Sequence, residues 1–391
     1  MTVVTNRSTA PAAPAPPCPA PAPIPLVDLQ VQHAQVALEV ERGWSRVVSE
    51  GSFVLGPEVE AFEDEFARYS GATHCVGVAN GTDALELALR ARGVGRGDEV
   101  IVPANTFIAT AEAVTRAGAD PVVVDCDDGH LLIDPLAVRE RVSARTRAVV
   151  AVHLFGQMAP VEALVAAVPD GVDLIEDAAQ SQGAQRHGRP SGSVGAATGT
   201  SFYPGKNLGA YGDAGAVLTS DDATAGAVRA LRAHGGTQKY RHDVAGMNSR
   251  LDSLQAVVLR AKLRRLDRWN EQRRAAARRY DALLAGVDGV RLPATMPGNV
   301  PVWHLYVVRV AERDRVLARL NEAGIGAGVH YPRPLHLLGA YEGLGHGRGD
   351  FPVAEAASRE ILSLPLFPGI TPAQQGRVVE TFTAAVREGG S

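Results

Sequence analysis

The chain has 391 residues, of which 46% are hydrophobic and 21% are charged, and its formal net charge at pH 7 is -4. This length suffices for one large core and a second, smaller domain. This net charge gives no electrostatic case for a nucleic-acid partner, and the sequence lacks the run of roughly 20 apolar residues needed to cross a bilayer. Three cysteines without metal-ligand spacing (Cys18, Cys75 and Cys126) predict no metal site and favour a reducing cytoplasm.

The N-terminal segment has a composition of its own. From Pro11 to Pro25, eight of fifteen residues are proline and most of the others are alanine. Proline has no backbone N–H and a restricted φ, so such a run cannot join the interior of a helix or sheet. The composition predicts a disordered tail over residues 1–25 without a catalytic role, and it lacks the apolar stretch of a secretory signal peptide.

Beyond the tail, short β-rich runs alternate with longer helical stretches. The predicted strands are His74–Val78, Val100–Val102, Val122–Val124, Ala148–Val152 and Leu174–Ile175. The predicted helices between them are Ala84–Arg92, Ala109–Ala117, Leu136–Val142 and Val161–Ala167. Because parallel strands need crossover connections, this alternation predicts an α/β fold with a mostly parallel sheet covered on both faces.

The C-terminal part of the chain has a different pattern. Residues Leu251–Leu284 are rich in alanine, leucine and arginine, and they predict one long helical segment that contains the hinge between two domains. A strand near His304–Val310 and a helix near Arg313–Ala323 predict a smaller α+β domain. We therefore expect a large domain over residues 26–265 and a small domain over residues 266–391.

The segment Asn80-Gly81-Thr82-Asp83 follows the first predicted strand and opens the first predicted helix. Unsatisfied N–H groups at a helix N-terminus suit a phosphate, and a glycine lets the backbone approach it closely. An ordinary turn with Thr82 or Asp83 as the helix N-cap explains the same residues equally well. The glycine cluster Gly93–Gly97 precedes a strand, so it predicts a plain turn and not a dinucleotide site.

Two residues in the middle of the chain have the chemistry of a covalent catalyst. Asp177 ends a buried run at the sheet edge where open α/β folds bind ligands, although a strand-end aspartate more often caps the next helix. Lys206 lies in a Gly/Pro-rich turn among small and apolar neighbours, which lower the pKa of an amine and favour Schiff-base formation. A lone lysine in a loop is ordinarily a solvated charge, but the rigid Pro204-Gly205 turn and the upstream aspartate favour the reactive role.

Four blocks of the sequence resemble one known family, the sugar aminotransferases of the DegT/DnrJ/EryC1/StrS type, which depend on pyridoxal phosphate (PLP). These blocks are Asn80–Thr82, Glu176–Gln180, Ser201–Gly209 and Met247–Asp252. The resemblance extends from about Pro25 to Pro368. It implies PLP fold type I, the aspartate-aminotransferase fold, with a large mostly parallel-sheet domain and a smaller C-terminal α+β domain.

The resemblance also implies a role for each matching residue. Lys206 would bond covalently to PLP and act as the catalytic base, and Asp177 would keep the pyridine nitrogen protonated. The other cofactor-binding residues would be Gly81, Thr82 and Ser201 at the phosphate, Gln180 at the phenolic oxygen and Phe107 stacked on the ring. Asn248 would reach the phosphate of the neighbouring subunit's cofactor, which implies a homodimer with shared active sites.

The substrates follow from the resemblance as well. A dehydratase branch of the family has histidine in place of Lys206, so the lysine favours amino transfer from L-glutamate to a dTDP-linked keto sugar, as in antibiotic-sugar biosynthesis. The segment Gly324–Pro332 resembles enzymes that act at C3 of 3-keto-6-deoxyhexoses, and it predicts His330 and Tyr331 in the sugar pocket. The same two residues could instead simply end a strand and turn the chain. Amination at C4 of dTDP-4-keto-6-deoxyglucose and a non-catalytic PLP-binding regulator are the alternatives.

Overall fold

The computed structural model describes residues 22–238 and 240–388. Two helices, α1 (Leu29–Glu50) and α2 (Pro57–Ser70), precede the first strand of the sheet. Asp28 caps α1 through its side chain, and Gly51 ends that helix with a φ of 67°, a left-handed conformation that suits glycine. Neither helix is among the predicted elements.

Residues 22–25, which were expected to belong to the tail, are part of the described structure. Residues 1–21 lie outside the described residues. Ile24 is 2% exposed, its N–H donates to the carbonyl of Gly324 at 2.9 Å, and its carbonyl accepts from Gly326 at 2.7 Å. Residues 22–25 therefore do not belong to a disordered tail, because backbone pairing and burial of Ile24 outweigh the local proline content.

Among the described residues, nine strands follow α2 up to residue 219. They are β1 (His74–Val78), β2 (Glu99–Pro103), β3 (Asp120–Val124), β4 (Thr146–Val152), β5 (Asp173–Asp177), β6 (Gln185–Arg186), β7 (Arg189–Pro190), β8 (Ala197–Ser201) and β9 (Gly215–Thr219). Seven of them form one sheet in the order β1-β9-β8-β5-β4-β2-β3. The neighbours from β8 to β3 run parallel, whereas β9 is antiparallel to both β1 and β8. The five predicted strands and the mostly parallel sheet are confirmed.

Helices that follow strands of this sheet cover it. They are α3 (Gly81–Ala91), α4 (Ile108–Ala117), α5 (Pro135–Arg141), α6 (Val161–Ala167) and α7 (Asp222–Leu231). The four predicted helices are confirmed, with small shifts at their ends. Helix α3 is deeply packed, since Leu85, Leu87 and Leu89 are all buried in the largest apolar core. No helix of the described residues is both long and apolar enough to cross a membrane.

The prediction of one continuous helical segment over Leu251–Leu284 is wrong in one respect. The segment consists of two helices, and Arg264 and Arg265 separate them. The remaining elements are α8 (Ser253–Leu263), α9 (Leu266–Leu284), β10 (Val290–Arg291), β11 (Asn299–Val300), β12 (Tyr306–Val310), α10 (Arg313–Glu322), α11 (Pro352–Glu360), β13 (Ile361–Leu364) and α12 (Pro372–Arg387). Strands β10, β12 and β13 form an antiparallel sheet with its own apolar core against α9, α10 and α12. We propose the break before α9 as the boundary between the large and small domains.

Candidate active site

A cavity of about 380 Å³ lies at the carboxyl ends of β4, β5 and β8. Open α/β sheets bind ligands at this edge, because the loops that follow neighbouring strands meet there. Most of the predicted site residues line this cavity, namely Gly81, Thr82, Phe107, Asp177, Gln180, Ser201, Lys206 and Tyr331. Tertiary folding thus brings together residues that are separated by up to 250 positions in sequence.

The N-terminus of α3 forms one wall of the cavity. Asn80 caps this helix, since its side-chain oxygen accepts a hydrogen bond from the N–H of Asp83 at 2.8 Å, so the N-cap is neither Thr82 nor Asp83. A Cβ on Gly81 would lie 2.5 Å from the Cβ of Ser201, so a glycine is needed for this close approach. The first-turn amides and the Ser201 hydroxyl border the same space, which suits an anion such as a phosphate.

Asp177 ends β5 on the cavity side and is 6% exposed. Its carboxylate accepts one hydrogen bond from the Thr110 hydroxyl at 2.8 Å and one from the N–H of Ala179 at 3.2 Å. Burial raises the pKa of Asp177, although both hydrogen bonds and the charge of Lys206 act in the opposite direction. Because a carboxylate offers roughly four acceptor positions, Asp177 keeps capacity for a donor from a ligand.

Lys206 lies in the loop between β8 and β9 and reaches the same cavity. Its backbone N–H donates to the carbonyl of Tyr203 at 2.8 Å, which closes the turn formed by Pro204 and Gly205. Burial lowers the pKa of Lys206, and the carboxylate of Asp177 opposes this change. An amine with a lowered pKa is more often deprotonated at neutral pH and is then a nucleophile and a base.

Gln180, Tyr331 and Phe107 form a connected group on another side of the cavity. The amide nitrogen of Gln180 donates to the Tyr331 hydroxyl at 3.1 Å, and its oxygen accepts from the N–H of Phe155 at 2.6 Å. Phe155 has a φ of 59°, an unfavourable conformation that this hydrogen bond helps to hold. The rings of Tyr331 and Phe107 lie 5.2 Å apart. Gln180 therefore joins the cavity wall to the C-terminal segment that contains Tyr331.

His153 is a cavity residue that is absent from the sequence predictions. Its Nε2 lies 2.8 Å from the Glu176 carboxylate, and its Nδ1 accepts from the N–H of Ala159 at 3.1 Å. With Nδ1 as an acceptor, Nε2 is the ring nitrogen that donates to Glu176. The available signal was a polar residue directly after the predicted strand Ala148–Val152, at the same sheet edge as Asp177.

Asn248 and His330 do not line the cavity of their own chain. Asn248 is exposed, and its side-chain oxygen accepts from Arg250 at 2.9 Å. His330 Nδ1 lies 2.9 Å from the hydroxyl of Ser363 in β13, and burial together with the charge of Lys206 lowers the pKa of His330 to about 4. The chain turns Tyr331 toward the cavity and His330 toward β13, so the role of His330 in sugar binding stays a prediction.

The sequence model of the DegT/DnrJ/EryC1/StrS aminotransferase family matches residues 38–383. The chain belongs to this family. It is 47% identical to the erythromycin biosynthesis sensory transduction protein EryC1 of Saccharopolyspora erythraea, over 92% of this chain and 98% of that protein. It is 46% identical to the dTDP-3-amino-3,4,6-trideoxy-alpha-D-glucose transaminase of Streptomyces venezuelae, over 93% of this chain and 95% of that protein. The crystal structure of S. venezuelae DesV in complex with a ketimine intermediate matches with a TM-score of 0.91 at 45% identity, over 93% of this chain and 98% of that one.

Family membership makes this chain a PLP-dependent sugar aminotransferase of fold type I. The cavity fits that cofactor on its own geometry. A Cβ at position 81 would fill the cradle beside Ser201, where a phosphate would lie. Asp177 has acceptor capacity for a protonated ring nitrogen, and Lys206 has an amine that can bond to an aldehyde.

Proposed function

We propose that this chain transfers an amino group from L-glutamate to C3 of a dTDP-linked 3-keto-6-deoxyhexose. The observation that carries the proposal is the pair formed by Lys206 and Asp177 at one cavity, an amine of lowered pKa beside a carboxylate with spare acceptor capacity. The relative from S. venezuelae supports the sugar, since its name is that of a transaminase for a dTDP-3-amino sugar. The two described cysteines, Cys75 and Cys126, are free, which supports a reducing cytoplasm.

The residues of the cavity divide the chemistry among them. PLP, when bound, supplies a ring that withdraws electrons from the carbon attached to the amino group. Asp177 would hold the proton on the ring nitrogen through a charge-assisted hydrogen bond, worth about 1.5–3 kcal/mol. The amine of Lys206 would take the proton from the donor's α-carbon and deliver it to C4′ of the cofactor. Ser201 and the first-turn amides of α3 would anchor the phosphate, so that this amine and the α-carbon stay in reach of each other.

Other residues of the cavity would fix the orientation of the cofactor ring and the sugar. Phe107 would stack on one face of the ring, and Gln180 would hold the phenolic oxygen with the amide hydrogen that Tyr331 does not use. Tyr331 would contact the sugar at the cavity mouth. His330 would act indirectly, because its bond to Ser363 orients the segment that carries Tyr331.

The first test follows the visible absorbance of the PLP-loaded protein after addition of L-glutamate. We expect the visible absorption band of the bound cofactor to disappear as 2-oxoglutarate is released. A band that persists with every amino acid tried would instead favour a protein that binds PLP without turnover.

The second test separates the two sugar positions. L-Glutamate is first used to convert the bound cofactor to its amino form, and the protein is then freed of that donor. We expect the band to return with a dTDP-3-keto-6-deoxyhexose and not with dTDP-4-keto-6-deoxyglucose in the absence of an isomerase. Return of the band with the 4-keto sugar would establish amination at C4.

Substitution of the lysine tests the assigned base. Lys206→Ala should lower turnover by roughly 10⁴-fold or more, because it removes both the covalent anchor and the base. The melting temperature should change little, since the side chain faces a cavity. Normal activity of this variant would refute the assignment.

We also propose that the active unit is a homodimer in which Asn248 completes the partner's site. This residue is exposed and does not line its own cavity, and a β-bridge pairs Asp252, four positions after it, with Val54. Phe53 and Val54 are 48% and 45% exposed, as expected of side chains that another subunit could cover.

Mixed dimers test this arrangement. A heterodimer of Lys206→Ala and Asn248→Ala subunits, purified through two different tags, contains one doubly altered site and one intact site. Its activity should return to about half that of the parent dimer. A heterodimer no more active than the two homodimers would contradict shared sites.

A further inference from the structure

Lys262 is a buried cation on α8 with no part in the reaction described above. It is 1% exposed. The chain has 39 lysine and arginine residues, and only three of them are lysines: Lys206, Lys239 and Lys262. A lysine head group is compact and point-like, whereas the guanidinium of arginine is a planar fork, so the two are not interchangeable at a buried position. This position therefore uses the rarer cation of the sequence in a place where shape matters.

The ammonium of Lys262 contacts the loop that carries Lys206. Its Nζ donates to the carbonyl of Gly209 at 2.6 Å and lies 4.5 Å from the centre of the Tyr211 ring. Burial lowers the pKa of Lys262 to about 8, so the group stays largely protonated at neutral pH. No carboxylate among the described residues pairs with Lys262, and burial of an unpaired ammonium is costly. Here one carbonyl and one aromatic face compensate.

Gly209, whose carbonyl accepts from Lys262, packs against Pro204 at the start of the turn that carries Lys206. A Cβ on Gly209 would lie 2.3 Å from the carbonyl oxygen of Pro204, so these two residues touch on either side of Lys206. The N–H of Ala210 donates to the carbonyl of Phe202 at 2.8 Å and closes the same loop. Movement of Gly209 would thus be passed directly to the backbone of Lys206.

Helix α8 holds this loop at a second point. The side chain of Gln255 accepts from the N–H of Tyr211 at 2.8 Å. The hydroxyl of Tyr211 lies 2.6 Å from Nδ1 of His33 on α1. The ring that faces Lys262 is therefore fixed from both helices, and the ammonium has a rigid surface to bind.

The geometry points to Lys262 as a positioning residue, whose ammonium clamps the Gly209 carbonyl and so keeps the amine of Lys206 inside the cavity. The inference rests on the proposed role of Lys206. An apolar side chain at position 262 would leave the carbonyl without its donor, and the turn would shift toward water. The amine of Lys206 would then be better solvated, and its pKa would rise toward that of an ordinary lysine.

The test measures the amine of Lys206 in the cofactor-free protein. Acetylation with acetic anhydride is followed by peptide mass spectrometry from about pH 6 to about pH 10, with Lys239 as the internal reference. In Lys262→Met, the midpoint of Lys206 acetylation should rise by at least about half a pH unit relative to the parent. An unchanged midpoint in a folded Lys262→Met protein would overturn the inference, even if the variant were less stable.

Arg260→Met is the matched control. It removes a cation from the same helix, but Arg260 binds Glu58 and Glu65 and not the lysine loop. Its midpoint should equal that of the parent, and a shift as large as that of Lys262→Met would also overturn the inference. If Lys262→Met does not fold, Tyr211→Leu removes the aromatic face instead; it should shift the midpoint in the same direction by less, and no shift would count against the clamp. Because acetylation needs neither cofactor nor substrate, its outcome is separate from the outcome of the transfer assays.

Discussion

Glu176 and Asp177 are neighbours on β5, yet the two sides of the sheet that receive them differ in the number of donors. Glu176 is fully buried and accepts from five groups, the side chains of His153 and Thr198 and the N–H groups of Gly192, Val194 and Gly195. Burial alone would raise its pKa, but these donors lower the pKa of Glu176 to about 2. Asp177 accepts from two groups and has a raised pKa. A saturated carboxylate belongs to the scaffold, whereas one with spare capacity beside a cavity indicates where a ligand donates.

The largest effect is expected from neutralising Asp177, the carboxylate that faces the cavity. Asp177→Asn should lower kcat/KM by roughly 10³-fold, about 4 kcal/mol, because an amide does not keep the ring nitrogen protonated. Steady-state kinetics of the PLP-loaded protein measure the loss. Thr110→Val, which removes one donor and leaves the carboxylate, should have a much smaller effect. Parental activity in Asp177→Asn would show that the carboxylate is not the acceptor.

Neutralising Glu176, the carboxylate that belongs to the scaffold, should lower the stability of the fold. Glu176→Gln should lower the free energy of unfolding by about 3 kcal/mol, because an amide cannot accept all five hydrogen bonds and leaves buried donors unpaired. Denaturant unfolding measures this, with Thr198→Val as a control that should cost about 1 kcal/mol. A Glu176→Gln protein as stable as the parent would contradict the scaffold role.

The same variant should also change how the free energy of unfolding depends on pH under acidic conditions. The folded-state pKa of Glu176, about 2, lies below the ordinary glutamate value of about 4.3. The stability that this group contributes is therefore present above about pH 4.3 and is lost as the pH falls toward the folded-state value. Glu176→Gln should flatten the fall in stability over this window.

The phosphate cradle offers a smaller test on the cavity side. Gly81→Ala should weaken PLP binding by about tenfold, or 1.4 kcal/mol, because the new Cβ would lie 2.5 Å from the Cβ of Ser201 and push the helix from the strand end. Absorbance titration of the cofactor-free protein measures the affinity. Gly226→Ala on α7 is the control, since no atom lies within 4 Å of its added Cβ. Equal affinity in both variants would show that the approach of α3 to β8 is unimportant.

The smallest expected effect concerns Asp177 in the cofactor-free protein. Its folded-state pKa is raised, so the parent loses stability as the pH rises from the ordinary aspartate value through the folded-state value. Asp177→Asn should therefore be more stable than the parent at pH 7, and the difference should vanish below about pH 3.9. Thermal unfolding at several pH values checks this, and a less stable variant at pH 7 would contradict the sign.

Local pattern accounts for the parts of the fold that could be predicted. Strand β1 and helix α6 have the predicted limits. Apolar residues recur every two residues in a strand and every 3.6 residues in a helix, and this pattern depends only on neighbours in sequence. The break between α8 and α9 has no such mark, since Arg264 and Arg265 are good helix formers and packing decides where the chain turns. Ile24 shows the same limit, because its pairing partner lies near residue 325.

The α/β alternation could be predicted from the sequence, because it follows from local periodicity. The roles of Lys206 and Asp177 at one cofactor were implied by the resemblance of four sequence blocks to one family. Tertiary packing determines which of the two adjacent carboxylates is saturated with hydrogen bonds. It also brings His153 to the cavity wall and turns Tyr331, not His330, toward the cavity. The physical reason is that burial and hydrogen-bond donors come from distant segments, so the protonation and free capacity of a side chain are set by residues the local sequence does not contain.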